Sequence, residues 1–332
     1  MIVITGGAGM IGSIIAWHIN TKLQRDNLVI VDRITHEDQW QNLVKRQYAQ
    51  YLDKDQLLDW LKDRNDIEAI IHMGAISATT ERDFNKLVDV NIHYSQNLWN
   101  WCATHQVPFF YASSAATYGS GLNASGDLAY NDASLENLRP LNGYGYSKHF
   151  FDQWALRQSP ENTPPSWAGF KFFNVYGPNE YHKERMASVA FHTFNQFAQT
   201  GKMKLFKGTK AGIKDGEQLR DFVYVKDAAS VVCFFMQAAI NNQPAPNGIY
   251  NLGTGLARSF KDLATAVMVN TNKAPHIEYI DMPEDLQGRY QYFTEANIAK
   301  LRAAGYGAEF SSLEDGVQDY VQNYLMQADP YC

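Results

Sequence analysis

The 332-residue sequence predicts an α/β protein: a doubly wound parallel sheet with a smaller, discontinuous C-terminal domain. Three observations predict it. Short apolar runs, rich in β-branched and aromatic residues, alternate with longer helix-like stretches through the first half. The runs lack strict polar alternation, as parallel strands buried on both faces do. After about Tyr176 the rhythm breaks into shorter, mixed elements. Strands and helices alternating in this way are joined by right-handed crossovers.

In order along the chain, the apolar runs 2–4, 28–31, 69–72, 109–112 and 170–173 are the expected sheet strands. Helix-like segments lie at 13–20, 56–62 and 88–104 between them. Further on come a helix-like segment at 187–200 and a Gly/Lys-rich stretch at 207–216, which reads as a mobile surface loop. Residues 222–225 form another apolar run, 228–239 a helix-like segment and 241–247 a Pro/Asn-rich turn. A run at 248–252 and a helix-like 312–326 complete the set, with no internal repeat.

Composition narrows the function. The chain is 45% hydrophobic and 19% charged, which excludes a disordered, collagenous or coiled-coil protein. A net charge of −6 lacks the basic excess of a nucleic-acid or anionic-membrane surface, so neither partner is expected. Cys102, Cys233 and Cys332 are scattered and fit a reducing compartment better than a disulfide framework. The nine histidines include no pair three or four residues apart, and no metal is expected. The longest apolar runs, such as 231–236, fall short of a membrane span, and the apolar first residues have no basic flank. A soluble cytoplasmic protein is the expectation.

Gly6, Gly9 and Gly12 directly follow the first run and open the first helix-like segment. In such a turn the first glycine permits the tight bend, the second lets the backbone approach a pyrophosphate, and the third lets the helix pack against the sheet. The helix start adds free N–H groups and a positive dipole end. Asp32 closes the second strand twenty residues after Gly12, where an acid binds the adenosine ribose. The expectation is a Rossmann-like dinucleotide site. Arg33 beside it is either a ligand for the 2′-phosphate of NADP or a solvated surface arginine.

Tyr144 and Lys148 stand four apart, one turn on a helix face. A phenol is a poor base near its ordinary pKa of about 10, but an adjacent ammonium and a cationic nicotinamide favour the phenolate. Ser113 and Ser114 end the run at 109–112. Ser114 there can bond a substrate hydroxyl, cap a following helix, or do both.

Together, residues 5–12, Asn91, Ser114 and the Tyr144/Lys148 pair resemble the extended short-chain dehydrogenase/reductases, the nucleotide-sugar epimerases and dehydratases. The stretches 111–119, 173–178, 182–192, 220–227, 250–253, 288–291 and 301–306 extend the resemblance along nearly the whole chain. They point to the branch that inverts C6″ of an ADP-heptose.

That resemblance implies two acid/base residues, Tyr144 and Lys183, one for each epimer, with Lys148 on the nicotinamide ribose and Ser114 on the substrate. It implies a cofactor lining of Met10, Ile11, Asp32, Arg33, Lys54, Met73, Gly74, Ala75, Ile76, Ser77, Asn91 and Val175, beside the three glycines. It assigns the ADP-sugar to Asn174, Lys183, Arg185, His192, Phe206, Lys207, Gly208, Thr209, Arg220 and Tyr290. It also implies a dinucleotide-binding domain of residues 1–173 plus about 219–254, a substrate-binding domain of about 174–218 plus 255–332, and a homo-oligomer, typically a pentamer. NADP is the expected cofactor. Gln39 stands where the family commonly has a lysine for the cofactor phosphate, which leaves NAD as the alternative. Arg185 replaces a small residue beside the second base.

Rival readings differ at particular residues. A 4,6-dehydratase carries Asp-Glu after the hydroxyl residue, where this chain has Ala115 and Ala116. A UDP-hexose 4-epimerase leaves His182-Lys183 without a role, and a non-catalytic dinucleotide sensor has no use for Tyr144.

Overall fold

Apolar runs with no polar face cannot lie at a surface, and the chain stacks them side by side. In the computed structural model, which describes residues 1–121, 135–210, 212–243, 245–283 and 291–332, the strands are β1 Ile2–Thr5, β2 Leu28–Asp32, β3 Gln50–Asp53, β4 Ala69–His72, β5 Phe109–Ser114, β6 Trp167–Phe172, β7 Asn174–Tyr176, β8 Met203–Phe206, β9 Leu219–Tyr224, β10 Gly248–Leu252, β11 Ala257–Ser259 and β12 Ile277–Ile280. Seven of them form one parallel sheet in the order β10-β6-β5-β4-β1-β2-β3. Ile2 and Ile4 belong to the core on one face and Val3 to the core on the other. The same split holds for Leu28 and Ile30 against Val29 and Val31. Both faces are therefore covered, and burying each such side chain contributes about 1.5–3 kcal/mol. This is a Rossmann-like α/β fold.

Strand order reverses between β4 and β1, so a crevice opens at their carboxyl ends, where doubly wound folds bind ligands. Helix Met10–Lys22 leaves β1 there and packs on helix Val225–Ile240. On the far side of β4 the chain runs from Phe84–Leu87 through a wider i→i+5 turn, Val88–His93, into helix Tyr94–His105. Such wide turns recur at functional sites.

Two small sheets lie outside the seven-stranded one: β11-β9-β7, and β12 beside β8. The apolar run at 222–225 therefore pairs with β7, not with the seven-stranded sheet, and β11 pairs with the residues just before it, Leu219 to Asp221. Its last residue, Val225, instead opens the following helix. Phe173 also lies outside its expected strand: its N–H donates to Leu252 O at 3.0 Å as the chain turns from β6 into β7.

Candidate active site

The glycine turn needs its glycines for packing reasons visible in place. Gly6 is left-handed, with φ +65°, and a Cβ there would meet the backbone of Gly74 at 2.6 Å. The turns after β1 and β4 thus touch at the crevice. Gly74 N–H donates to Thr5 Oγ1 at 3.2 Å, and Met73 N–H to Thr5 O at 3.0 Å. A Cβ on Gly12 would overlap the Gly6 carbonyl.

Asp32 sits at the end of β2 and accepts from Ala8 N–H at 2.8 Å and Arg33 N–H at 2.8 Å. Burial raises its pKa against those amides. An acid bonded to the glycine turn, beside amides at a helix start, fits a dinucleotide's ribose and pyrophosphate. Arg33 is paired with Asp53 Oδ1 at 3.1 Å and with Asp55, and Lys54 with Asp55 at 2.6 Å. Both cations of the expected phosphate site thus have carboxylates as neighbours. Gln39 is buried and turned inward, its Oε1 accepting from Thr35 N–H at 3.2 Å.

Asn91, on the wide turn, is fully buried and committed to protein. Its Oδ1 accepts from Ile76 N–H at 2.9 Å, while Nδ2 donates to Ile76 O at 3.0 Å and to Ser147 Oγ at 3.0 Å. It shapes the 73–77 turn and ties that turn to the Tyr144 helix. Within the turn Ala75 is half-buried and Ser77 exposed.

Tyr144 and Lys148 occupy successive turns of helix Gly143–Leu156, which Asn142 caps through Gly145 N–H at 2.8 Å. Gly145 brings the helix start against the turn Ala115–Tyr118, since a Cβ there would meet Ala116 O at 2.7 Å. This close approach sets the Tyr144 phenol near the Ser114 hydroxyl. Ser114 Oγ accepts from Ala116 N–H at 3.1 Å, so it caps that turn. Burial pushes the Tyr144 phenol up, and the neighbouring Ser114 hydroxyl works against the rise. Burial likewise pushes the Lys148 ammonium down to about 8, with Asp152 one turn on opposing the drop.

Asp152 belongs to a network that sequence reasoning missed. Its carboxylate pairs with Lys171 Nζ at 2.7 Å and accepts from Ser113 Oγ at 2.7 Å and Tyr111 OH at 3.0 Å. Lys171 also donates to Thr117 Oγ1 at 2.5 Å. Both ions are fully buried, a placement tolerable only with such additional bonds. The one available signal was spacing: Asp152 lies four residues beyond Lys148.

Lys183 lies in the turn Tyr181–Met186, its Nζ 3.9 Å from Met10 Sδ at the start of the glycine-turn helix. Ile11 follows Met10 on that helix. Burial lowers the Lys183 pKa, and Glu180 opposes the drop. His182 beside it is driven down to about 4 by burial and then by Lys183.

The remaining expected sugar ligands lie outside the seven-stranded sheet, with Val175 of the expected cofactor lining among them. Asn174 and Arg185 are exposed, while Val175 on β7 and His192 on helix Val189–Thr200 are half-buried. Phe206 ends β8, and Lys207 pairs with Asp281 at 3.0 Å. Gly208 N–H donates to Asp215 Oδ1 at 2.9 Å, and the Thr209 hydroxyl lies 2.6 Å from Tyr292 OH. Arg220 donates to Leu219 O at 2.8 Å and to Gln291 O, and Gln291 in turn donates to Gly119 O. That relay joins β9 to the turn after Ser114. Tyr290 lies outside the described residues.

The model of the NAD dependent epimerase/dehydratase family matches residues 2–253. The chain is 54% identical to an ADP-L-glycero-D-manno-heptose-6-epimerase of Fusobacterium nucleatum, with all of both chains covered. It is 46% identical to a protein of the same name from Nitratidesulfovibrio vulgaris, again over all of both chains. Its fold superimposes on the crystal structure of the Helicobacter pylori ADP-L-glycero-D-manno-heptose-6-epimerase with a TM-score of 0.80 at 28% identity, covering 97% of this chain and 95% of that one.

Proposed function

The chain belongs to the NAD dependent epimerase/dehydratase family and is a nucleotide-sugar epimerase, and from this premise we propose that it inverts C6″ of ADP-D-glycero-D-manno-heptose to the L-glycero epimer. The observation that carries the proposal is a second amine. In addition to the Tyr144/Lys148 pair, the chain seats the half-buried Lys183 against Met10, at the dinucleotide turn. A 4-epimerase, needing only the tyrosine set, gives this lysine no task.

The C6″–H of a carbinol is not acidic, so inversion goes by hydride. When bound, the nicotinamide accepts that hydride and returns it, and nothing is oxidised overall. The chain's residues manage the proton. Ser114 bonds the reacting hydroxyl, and the Tyr144 phenolate, favoured by the Lys148 ammonium, takes its proton in one orientation. The sugar then carries a 6″-ketone. After rotation about the exocyclic bond, Lys183 supplies the proton to the oxygen on the other face, and the configuration is inverted.

Asp32 holds the adenosine ribose and Lys148 the nicotinamide ribose, and Arg33 with Lys54 takes the 2′-phosphate of NADP. Residues 1–173 with about 219–254 form the cofactor lobe, and about 174–218 with 255–332 the sugar lobe, in a soluble homo-oligomer of the cytoplasm. His192, Lys207 and Arg220 offer donors to the ADP diphosphate, which an acidic chain otherwise repels.

Tyr144→Phe and Lys183→Met should each lower turnover of an ADP-heptose at least a hundredfold while leaving the thermal midpoint near that of the parent, read by NMR of the two epimers. In deuterated water the C6″ hydrogen should be retained. Solvent deuterium at C6″, or full activity in Lys183→Met, would overturn the assignment.

A further inference from the structure

Nothing in the chemistry above explains how the Lys183 segment keeps its register with the dinucleotide turn, and two buried asparagines supply the means. Asn42 is 1% exposed, and its Nδ2 donates to Ala8 O at 2.8 Å and to Asn179 O at 3.1 Å, with His182 Nδ1 at 3.3 Å. It therefore spans from the glycine turn to the residues just before Lys183. Asn179 is fully buried, and its Nδ2 donates to Ser13 Oγ at 2.9 Å on the glycine-turn helix. Its Oδ1 accepts from Cys332 N–H at 2.9 Å. The backbone of Asn179 is left-handed, at φ +69°, a conformation asparagine tolerates better than other side-chain-bearing residues. From Asn179 the distance to the base is short and fixed, because Lys183 N–H closes a turn onto Glu180 O at 2.9 Å. Lys183 Nζ then comes to rest on Met10 Sδ.

We propose that Asn42 and Asn179 are positioning residues for Lys183, bracing its segment on the glycine turn so that the amine meets the C6″ hydroxyl of one epimer. This rests on the two-base reading given above. The role is local to one half of the reaction, because the bracket touches neither Ser114 nor the helix carrying Tyr144 among the described residues.

The test is a single turnover of the holoenzyme with each ADP-heptose epimer, following the absorbance of reduced nicotinamide. In the first half-reaction the C6″ hydride passes to the oxidised cofactor and the hydroxyl proton to the base, leaving ketone and reduced cofactor. The second half reverses this on the other face. Asn179→Gly keeps the left-handed backbone and removes only the side chain. It should slow the Lys183 half about ten- to a hundredfold. Reduced nicotinamide then accumulates when the Tyr144-served epimer is the starting material and not when the other is, with Lys183→Met identifying which epimer is which.

Asn42→Ala breaks the same bracket from the other side and carries the same expectation should Asn179→Gly fail to fold. Equal slowing from both epimers, or no slowing in a folded variant, overturns the proposal. If Lys183→Met itself treats the epimers alike, the two-base reading falls and this inference with it.

Discussion

His72 shows how a buried side chain with no part in the chemistry can set the acid limit of the protein. It ends β4, fully enclosed, with Nδ1 2.6 Å from Thr5 Oγ1 and Nε2 2.9 Å from Ser95 Oγ. Burial, and then the nearby Lys148 charge, drive its pKa from 6.5 to about 3. The unfolded chain therefore takes up a proton that the folded one refuses. Stability falls as pH drops below about 6.5 and goes on falling until about 3, by on the order of several kcal/mol. The urea midpoint of His72→Gln should be lower than the parent's at pH 7 but decline less steeply between pH 6.5 and 4. Parallel slopes in the two proteins would show that His72 is protonated in the fold.

At the scale of elements, the joint between β1 and its helix is held by close contact of backbones, and two glycines separate packing from conformation. Gly12 lies inside helix Met10–Lys22, where an added Cβ would run into the Gly6 carbonyl, a backbone atom with no room to retreat. Gly12→Ala should cost about 1–3 kcal/mol and displace the turn enough that purified protein carries less pyridine nucleotide, measured after denaturation. Gly201, at φ +72° after helix Val189–Thr200, has open space around its Cβ position. Gly201→Ala should cost about 1 kcal/mol through its backbone alone and leave cofactor content unchanged.

The same contrast explains what could be read from the residues. β1, β2, β4 and β5 were legible because burial on both faces demands unbroken apolar runs. β3 was not, since Gln50–Asp53 is an edge strand with only Leu52 buried. Strands as short as β7 and β11 carry too few residues for any period to register. Tyr144 and Lys148 stood out by local spacing, and Asp32 by its distance from the glycine turn. Asn42 and Asn179 meet across 137 positions of chain, where no local pattern connects them.

Across the whole molecule, the proposed cofactor site stands where β1 and β4 part, so a dinucleotide bound there would tie together the glycine turn, the end of β2 and the 73–77 turn. A ligand that binds only the folded chain stabilises it by about 2.7 kcal/mol at a hundred times its dissociation constant. For a chain of this size, that is a rise of about 4 °C in thermal midpoint. The choice between NADP and NAD then depends on four side chains whose charges cancel: Arg33 and Lys54 against Asp53 and Asp55. A 2′-phosphate must compete with those carboxylates for the two cations, and the ion pairs it displaces are exposed and weak. NADP should therefore raise the midpoint more than NAD at equal concentration, with the advantage shrinking in high salt as exposed charges are screened. Asp55→Asn frees Arg33 and Lys54 of one competitor and should widen the gap. Arg33→Ala should close it. Equal shifts for the two dinucleotides in the parent protein would assign Arg33 to its carboxylates and remove the preference for NADP.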